Sequence, residues 1–482
     1  DDPSNKATEK FDEAIARLES RLRELDTTSL SMQEKLLLLR MCYFPTIVHL
    51  LRSVHPSIGR DATSKFDELI WKTISSWADD PTLPTEAERI SQLPVRMGGL
   101  GMFNQSKLRP VAFGAAFILA QGQLRKRGMT LGVGQYERMM EFVSACATNL
   151  DLPPTELLSE SECFKPQIQR RAMEVVHHRE HLNIFSSLET PDRIRFIESA
   201  APLARAWLRV FPTKPIYTLP DGATRYGLRS ILLSPFRDLQ GELTPAGGRG
   251  FCTQRGCGIL DHATHHLACK TRGYNYRQKR HDTIRDVLKD FRRRTTDAGT
   301  QPEVKMGNPG VDVDILAKRG RADVDCIEIS VTCVHVRFRL TMPSLKETRD
   351  EVAEELKRRE ERQRTAVFFW DDHSDETPHP DTLLVEAFFR LASRRAVNPA
   401  ISARERQKMS KYQANGLSES VVPFIMSAHG ATNEEAIDLI NRMTLASDDE
   451  LREQSEFSQD GLGTLECILI QFGARIARCL FV

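Results

Sequence analysis

No stretch of the sequence approaches the run of about 18 apolar residues that a membrane span needs, and its first residues, DDPSNKATEKF, are too polar for a signal peptide. No membrane partner is therefore expected. Net charge is also nearly absent, at a formal +1. That excludes a uniformly basic or acidic protein but not a local patch. Cysteine is scarce and uneven: of ten, three fall between Cys252 and Cys269, and the other seven are scattered in mostly apolar surroundings. This is no disulfide framework, so a reducing compartment is expected. The chain also lacks an initial Met, as a fragment or a processed product does.

What is present is a globular composition, 40% hydrophobic and 28% charged over 482 residues, long enough for two to four domains. The N-terminal part reads as helical. Phe11, Ile15, Leu18, Leu22 and Leu25 recur at steps of four and three, one apolar stripe. A second helix runs through EKLLLLRMCYF to Pro45, with Ser31 and Glu34 as a capping box and Ser29 as the other candidate cap. A third covers about 64–77 and buries Phe66, Leu69, Ile70, Ile74 and Trp77. Pro81 and Pro84 break the chain before Thr85, a candidate N-cap with Glu88 in the capping-box position.

In LPVRMGGLGMFN, Gly98, Gly99 and Gly101 free the backbone for a tight structural turn. The following helix, 107–120, must then hold Pro110 in its first turn. Further helices are expected at 133–148, 164–183 and 191–209, and DGATRYGLR reads as a turn entering a short helix. A loop-like boundary falls at 241–250.

Beyond it the segment 252–281 is too polar for a hydrophobic core and needs a staple. Cys252, Cys257, His265 and Cys269 supply three thiolates and an imidazole, the soft tetrahedral set that suits structural Zn²⁺, with Gly258 at the turn. His262, His266 and His281 stand near enough to compete for the fourth position. Metal bound here would supply the folding energy of a segment that cannot fold alone. Residues 270–295 then carry ten Lys or Arg against three Asp, a candidate nucleic-acid face containing Arg277, Lys279, Arg280 and His281.

The period changes to strand at 311. Val311, Val313 and Ile315 alternate with Asp312 and Asp314, and a basic turn leads into CIEISVTCVHVRF. Asp314 and Glu328 therefore lie on two strands that, if antiparallel neighbours, bring both carboxylates to one end of a sheet. Two hard oxygen ligands suit Mg²⁺ at a phosphodiester, though Asp312, Asp323 and Asp325 compete for either role. Lys408 and Lys411, three apart on a helix, are candidate assisting cations. A helix at 344–363, a strand at TAVFFW, helices at 381–396 and 401–414, a strand at VVPFIM and a helix at 433–443 complete a mixed α/β core. The last residues, 461–482, read as a docked helix.

These motifs resemble the C-terminal region of non-LTR retrotransposon polyproteins of the restriction-like-endonuclease class, which end in a CCHC zinc knuckle and a PD-(D/E)XK nuclease. The knuckle pattern falls on Cys257-Gly258, Asp261, His265, Cys269 and Arg280-His281. The resemblance implies Asp314 and Glu328 as catalytic acids, Lys408 or Lys411 as the displaced lysine of K-x-x-K-Y, and VVPFIMSAHG as the strand after it. Upstream, SMQEKLLLLRMCYFPTIVHLLRSVHP and LPVRMGGLGMFN are similar to segments just after the reverse-transcriptase palm. No Tyr/Phe-x-Asp-Asp polymerase box is expected anywhere in the chain, so reverse transcription is not expected of it. It departs from the family in a longer interval between Glu328 and Lys408, and in Ser427, which stands where relatives carry an acid.

The expected architecture is multidomain α and α/β: a helical thumb- or linker-like region at 1–150, a helical linker at 151–245, a zinc knuckle with its basic helix at 246–295, a mixed-sheet restriction-endonuclease-like domain at 305–445, and a tail at 446–482. The expected activity is metal-dependent nicking of DNA in the nucleus, with Zn²⁺ structural and Mg²⁺ catalytic. RNA of the parent element is a further implied partner. The alternative is a non-catalytic nucleic-acid-binding remnant, and without the resemblance the expected location is the cytoplasm.

Overall fold

The computed structural model describes residues 3–81, 83–129, 140, 143–144, 168–212, 218–234, 281–289, 300–305, 312–319, 323–332, 343–365, 380–396, 398–414, 421–427, 432–433, 435–436 and 439. Among them helix predominates, with one four-stranded sheet. The chain divides into two compact units. The first takes Asp1–Pro81, Thr85–Ser187 and Leu345–Phe388; the second takes Thr82–Pro84, Leu188–Ser344 and Phe389–Val482.

In the first unit, α1 (Pro3–Thr27) buries all five residues of its apolar stripe. The capping box forms: the Ser31 amide donates to Glu34 Oε2 at 2.7 Å, and Ser31 Oγ accepts from the Glu34 amide. The helix it opens does not end at Pro45. After α2 (Met32–Leu38) the winding widens to a π turn (Leu39–Tyr43), tightens to a 3₁₀ turn (Phe44–Ile47) and resumes as α3 (Val48–Ser53). Proline is tolerated because it falls in the first turn of the 3₁₀ segment, where its missing N–H removes no helical bond. The continuous run Met32–Ser53, 22 residues with mean hydropathy 1.2, is long and apolar enough by length and composition to cross a membrane, which the sequence reading did not anticipate. Leu36, Leu39, Phe44, Ile47 and Leu51 along it are buried inside the protein.

Helix α4 (Arg60–Ala78) starts at Gly59, whose φ of 77° and closeness to the Phe11 ring leave no room for a side chain: an added Cβ would meet that ring at 2.5 Å. At its other end, Trp77 Nε1 donates to Asp26 Oδ1 at 2.8 Å and ties α4 to the end of α1. Helix α5 (Glu86–Ser91) lacks the expected capping box. Thr85 takes helical rather than extended backbone angles, and its hydroxyl turns to Glu86 Oε2 at 3.0 Å. The glycine turn forms as expected, with φ of 85° at Gly98 and 79° at Gly101. Gly99 is required for a different reason: a Cβ there would lie 2.2 Å from the Leu93 carbonyl oxygen.

Helix α6 (Gln105–Lys126) begins earlier than the sequence suggested, so Pro110 lies in its second turn rather than its first. Its N-terminus is capped twice. Asn104 Oδ1 accepts from the Lys107 amide at 2.7 Å, and Asp67 of α4 accepts from the Gln105 and Ser106 amides at 2.8 and 3.1 Å. Helix α7 (Ile168–Ser187) carries three buried histidines, His177, His178 and His181.

In the second unit the single helix expected over 191–209 is broken into α8 (Thr190–Ser199), α9 (Pro202–Arg205) and a 3₁₀ turn (Ala206–Leu208). Pro202 supplies the reason, since proline drives the residue before it out of the helical region. Helix α10 (Asp221–Ile231) runs straight through the stretch read as a turn, because Pro220 is extended and Asp221 opens the helix with an acid at its positive end. Arg195 of α8 pins the end of α10, donating to the carbonyls of Leu233 and Ser234 at 3.3 and 3.1 Å.

Residues 281–289 are helical and bury Ile284, Val287 and Leu288. The sheet follows: β1 (Thr300–Lys305), β2 (Asp312–Arg319), β3 (Asp323–Thr332) and, much later, β4 (Val421–Ser427), in spatial order β1-β2-β3-β4. The first two pairings are antiparallel and the last is parallel. Strand β1 lies in a stretch read as loose, for TQPEVK shows no clean alternation; as an edge strand it tolerates Pro302. Of the remaining helices, α11 (Leu345–Thr365) belongs to the first unit, α12 (Pro380–Ala396) begins there and continues into the second, and α13 (Asn398–Gln413) belongs to the second. The expected boundary at 241–250, the strand at TAVFFW, most of the helices at 133–148 and 433–443, and the terminal helix at 461–482 lie outside the described residues.

Candidate active site

Strand register decides what the acids can do together. Strands β2 and β3 pair with Ile315 opposite Ile327, Leu316 opposite Cys326 and so on to Arg319 opposite Asp323. One further step of the same register sets Asp314 across from Glu328. On the other side of β2, Pro302 pairs with Ile315 and Val304 with Val313, so Glu303 stands across from Asp314. Glu303, Asp314 and Glu328 therefore occupy one transverse row over three neighbouring strands. Directly opposed positions share a sheet face and lie about 4.5–5.5 Å apart, so three like charges in a row oppose pairing unless something offsets them.

Alternation gives the two faces different characters. The face containing the acids also holds Asp312, Leu316 and Cys326, while Val313, Ile315, Ile327 and Ile329 fall on the other face. Ile327 is fully buried, which marks that second face as the one turned into the protein. Asp323 and Asp325, weighed as competitors at the sequence level, sit at the far end of the β2–β3 ladder opposite Arg319 and Ala317. Asp325 also has the opposite parity to Glu328's neighbours in the acid row. Glu303 was missed because its strand carries too little apolar alternation to be seen; the signal that finds it is register, which sequence alone does not supply.

Strand β4 locks the far side. It pairs with β3 so that Glu328 lies beside Pro423 and Thr332 beside Ser427. Pro423 has no N–H to give, and its carbonyl points to the outer edge, where it accepts from Asn433 Nδ2 at 2.8 Å. The same asparagine accepts from the Ile425 amide through Oδ1 at 3.0 Å and donates its own amide to the Ile425 carbonyl at 3.1 Å. Asn433 thus satisfies an edge that would otherwise be open, which is how proline is accommodated in a buried strand.

Helix α13, which carries Lys408 and Lys411, packs against β3 and β4. Tyr412 and Ile401 are its buried anchors, at 0% and 2% exposure. Arg404, Lys408 and Lys411, at steps of four and three, form a half-buried stripe on that same side of the helix. The Lys411 ammonium lies 5.2 Å from the Tyr412 ring centroid. Both lysines are therefore carried by a helix seated on the strand that bears Glu328, and Arg404 joins them, a residue the K-x-x-K-Y pattern does not include.

Cys252, Cys257, His265 and Cys269 lie outside the described residues, as do Arg277, Lys279 and Arg280. Among the described residues no group of three or more His, Cys, Asp or Glu side chains is arranged to hold a metal. His281 opens the helix at 281–289, with Nδ1 3.3 Å from Asp282 Oδ1. One Phe-x-Asp-Asp tetrapeptide does occur, Phe369-Trp370-Asp371-Asp372, far downstream of the thumb-like segments and outside the described residues. The expectation that these letters occur nowhere in the chain is therefore corrected, though the tetrapeptide follows the thumb-like segments instead of preceding them.

In the first unit the strongest electrostatic feature is a network around α7. Arg96 reaches Glu174 at 3.1 Å and Glu386 at 3.3 Å, while Glu180 takes Arg89 at 2.6 Å and Lys107 at 2.9 Å. These contacts join the glycine turn, α5, α6, α7 and α12. His177, stacked on Phe103 at 4.6 Å between centroids, is pushed down to about 3 by burial, with Arg96, His178 and Lys107 adding to the effect. A neutral buried histidine among ion pairs is architecture, not a catalytic base near pH 7. Searched against protein-family models and curated proteins, the chain matches none.

Proposed function

We propose that the protein is a metal-dependent DNA endonuclease that nicks one strand of its target, built on a restriction-endonuclease-like core behind a structural zinc knuckle, as in the restriction-like-endonuclease class of non-LTR retrotransposon proteins. The observation that supports this reading is the register of the sheet: the β2–β3 pairing that sets Ile315 opposite Ile327, continued by one residue, brings Asp314 level with Glu328, and the β1–β2 pairing brings Glu303 level with Asp314. So short a connection between β2 and β3 leaves few registers open. The paired one, continued by a residue, supports an alignment of the two acids named from the sequence, on the face opposite buried Ile327.

Asp314 and Glu328, with Glu303 beside them, would hold Mg²⁺, whose carboxylate-rich preference the donor set meets. Bound there, the cation supplies positive charge against the scissile phosphate and acidifies water at neutral pH. The chain's own residues supply the rest. Lys411 or Lys408, on a helix anchored by Tyr412, would neutralise charge as the bond breaks. Arg277, Lys279, Arg280 and His281 would hold phosphates away from the cut. Cys252, Cys257, His265 and Cys269 form a donor set suited to Zn²⁺ and to folding the segment between the two.

Ser427 favours one second reading. It pairs with Thr332 at the end of β4, where relatives carry an acid. A protein that had lost turnover there would still bind nucleic acid through the knuckle and basic helix. Supercoiled plasmid separates the two. Nicking that needs Mg²⁺ or Mn²⁺ and disappears in both Asp314→Ala and Glu328→Ala supports the nuclease. Retarded but uncut plasmid, the same in all three proteins, supports the binding remnant.

A further inference from the structure

We propose that the basic segment from Arg390 to Lys411, made of the end of α12 and the length of α13, is a second nucleic-acid contact that follows the phosphates of duplex DNA past the acid row. The inference rests on the nuclease reading for its ligand. Its location comes from charge and helix geometry.

Between Arg390 and Lys411 there are seven basic residues, Arg390, Arg394, Arg395, Arg404, Arg406, Lys408 and Lys411, and one acid, Glu405. A chain whose total is +1 has gathered a local +6 into 22 residues. Arg394 and Arg395 fall in the last turn of α12, where they offset the negative end of the helix dipole, an ordinary structural role. That role accounts for two charges and leaves five.

Four of those five lie on α13 and are distributed over it. Arg404, Lys408 and Lys411 line the side that adjoins β3 and β4, and Arg406 is exposed on the opposite side. Sixteen residues make a helix about 24 Å long, which matches about seven base-pair steps of a duplex. Helix α13 packs against the strand that bears Glu328, so a backbone lying along the helix would run beside the acid row.

The same helix argues against an anionic bilayer. An interfacial helix needs large apolar side chains on its outer face. Among the described side chains, the exposed positions of α13 are Ala403, Arg406, Gln407, Ser410 and Gln413, small or polar throughout. Its apolar residues Ile401 and Tyr412 are spent inside the protein.

The test is the salt dependence of binding, which counts phosphate contacts without requiring cleavage. The full-length, zinc-loaded chain is titrated onto a fluorescent DNA duplex without added Mg²⁺, over a range of salt, beside Arg390→Gln/Arg404→Gln/Arg406→Gln. The slope of log Kd against log salt should fall by about 2 to 3 in the triple variant, near 0.9 for each lost contact. An unchanged slope in a variant with an unchanged melting temperature overturns the proposal. So does a loss confined to binding of vesicles rich in anionic lipid, or to an RNA duplex of the same sequence. If the triple variant fails to fold, Arg406→Gln alone, altering an exposed residue, should lower the slope by about 0.9, and no change there is equally fatal. Failure of the nuclease reading looks different: nicking that survives Asp314→Ala leaves the salt slope untouched.

Discussion

Asp314 on β2 stands level with Glu303 on β1 and, one step beyond the pairing of Ile315 with Ile327, with Glu328 on β3, so a single residue sits between two other acids in one row of the sheet. Such a row of like-charged residues is electrostatically unfavourable by itself. A divalent cation reverses the sign of that interaction. Asp314→Asn and Glu328→Gln, which preserve shape and remove charge, should each lower the nicking rate by about two orders of magnitude. Duplex affinity without Mg²⁺ should be equal to or slightly tighter than that of the unaltered chain, since negative charge has been removed. The measurement is plasmid relaxation beside anisotropy.

Glu303 gives a separable expectation. As the outer member of the row it would contribute to cation affinity more than to the reaction itself. Glu303→Gln should raise the Mg²⁺ concentration needed for half-maximal nicking while saturating Mg²⁺ restores most of the rate. A variant with the same Mg²⁺ dependence as the unaltered protein would remove Glu303 from the site.

How much of this was legible in advance follows from the kind of signal each element gives. The stripe of α1, the Ser31–Glu34 box, the β2–β3 hairpin and strand β4 announce themselves through period and cap chemistry, and each formed. Strand β1 did not, because Pro302 and the polar residues around it erase alternation; pairing with β2 supplies the order that its own sequence lacks. The break after α8 was hidden because an apolar period runs across it, and Pro202 overrides that period locally. The Thr85 cap failed for a reason invisible in the letters, a backbone already helical at the cap. The knuckle's ligands were readable as a donor set, but they fall outside the described residues.

The buried histidines of α7 predict a pH effect on stability with a definite sign. Burial holds His177 at about 3 and His181 well below its ordinary value, so both are neutral in the folded protein. In the unfolded chain each binds a proton near pH 6.5. The unfolded state therefore binds more protons below that pH, and stability should be full above it and fall progressively beneath it. Each histidine contributes up to about 1.4 kcal/mol per pH unit over this window, before Glu180, whose own value is lowered by Lys107 and Arg89 against its burial, begins to lose its ion pairs. Urea midpoints at successive pH values from neutral to mildly acidic should show the decline. His177→Phe, which keeps a ring against Phe103, should make it shallower.

Asn433 is the most economical test of how β4 is held. It is almost fully buried, and it serves the Pro423 carbonyl and both backbone groups of Ile425 along the outer edge. Asn433→Ala keeps the backbone donor to the Ile425 carbonyl but leaves the Ile425 amide and the Pro423 carbonyl without these partners in a buried setting. Each such group costs about 1–3 kcal/mol. A loss of about 2–4 kcal/mol is expected in denaturant unfolding of the second unit. Asn433→Asp separates donor from acceptor: its carboxylate can still accept from the Ile425 amide but cannot donate to Pro423, and it carries charge into the same buried edge. It should therefore be no more stable than the alanine variant at neutral pH and should recover as pH falls and the carboxyl takes up a proton. Because β4 lies beside Glu328, the alanine variant should also weaken nicking in proportion to the disorder it introduces at that strand, and amide exchange along 421–427 should rise with it. Equal stability in all three proteins would mean that water or neighbouring backbone serves the edge instead, and that Pro423 is tolerated for some other reason.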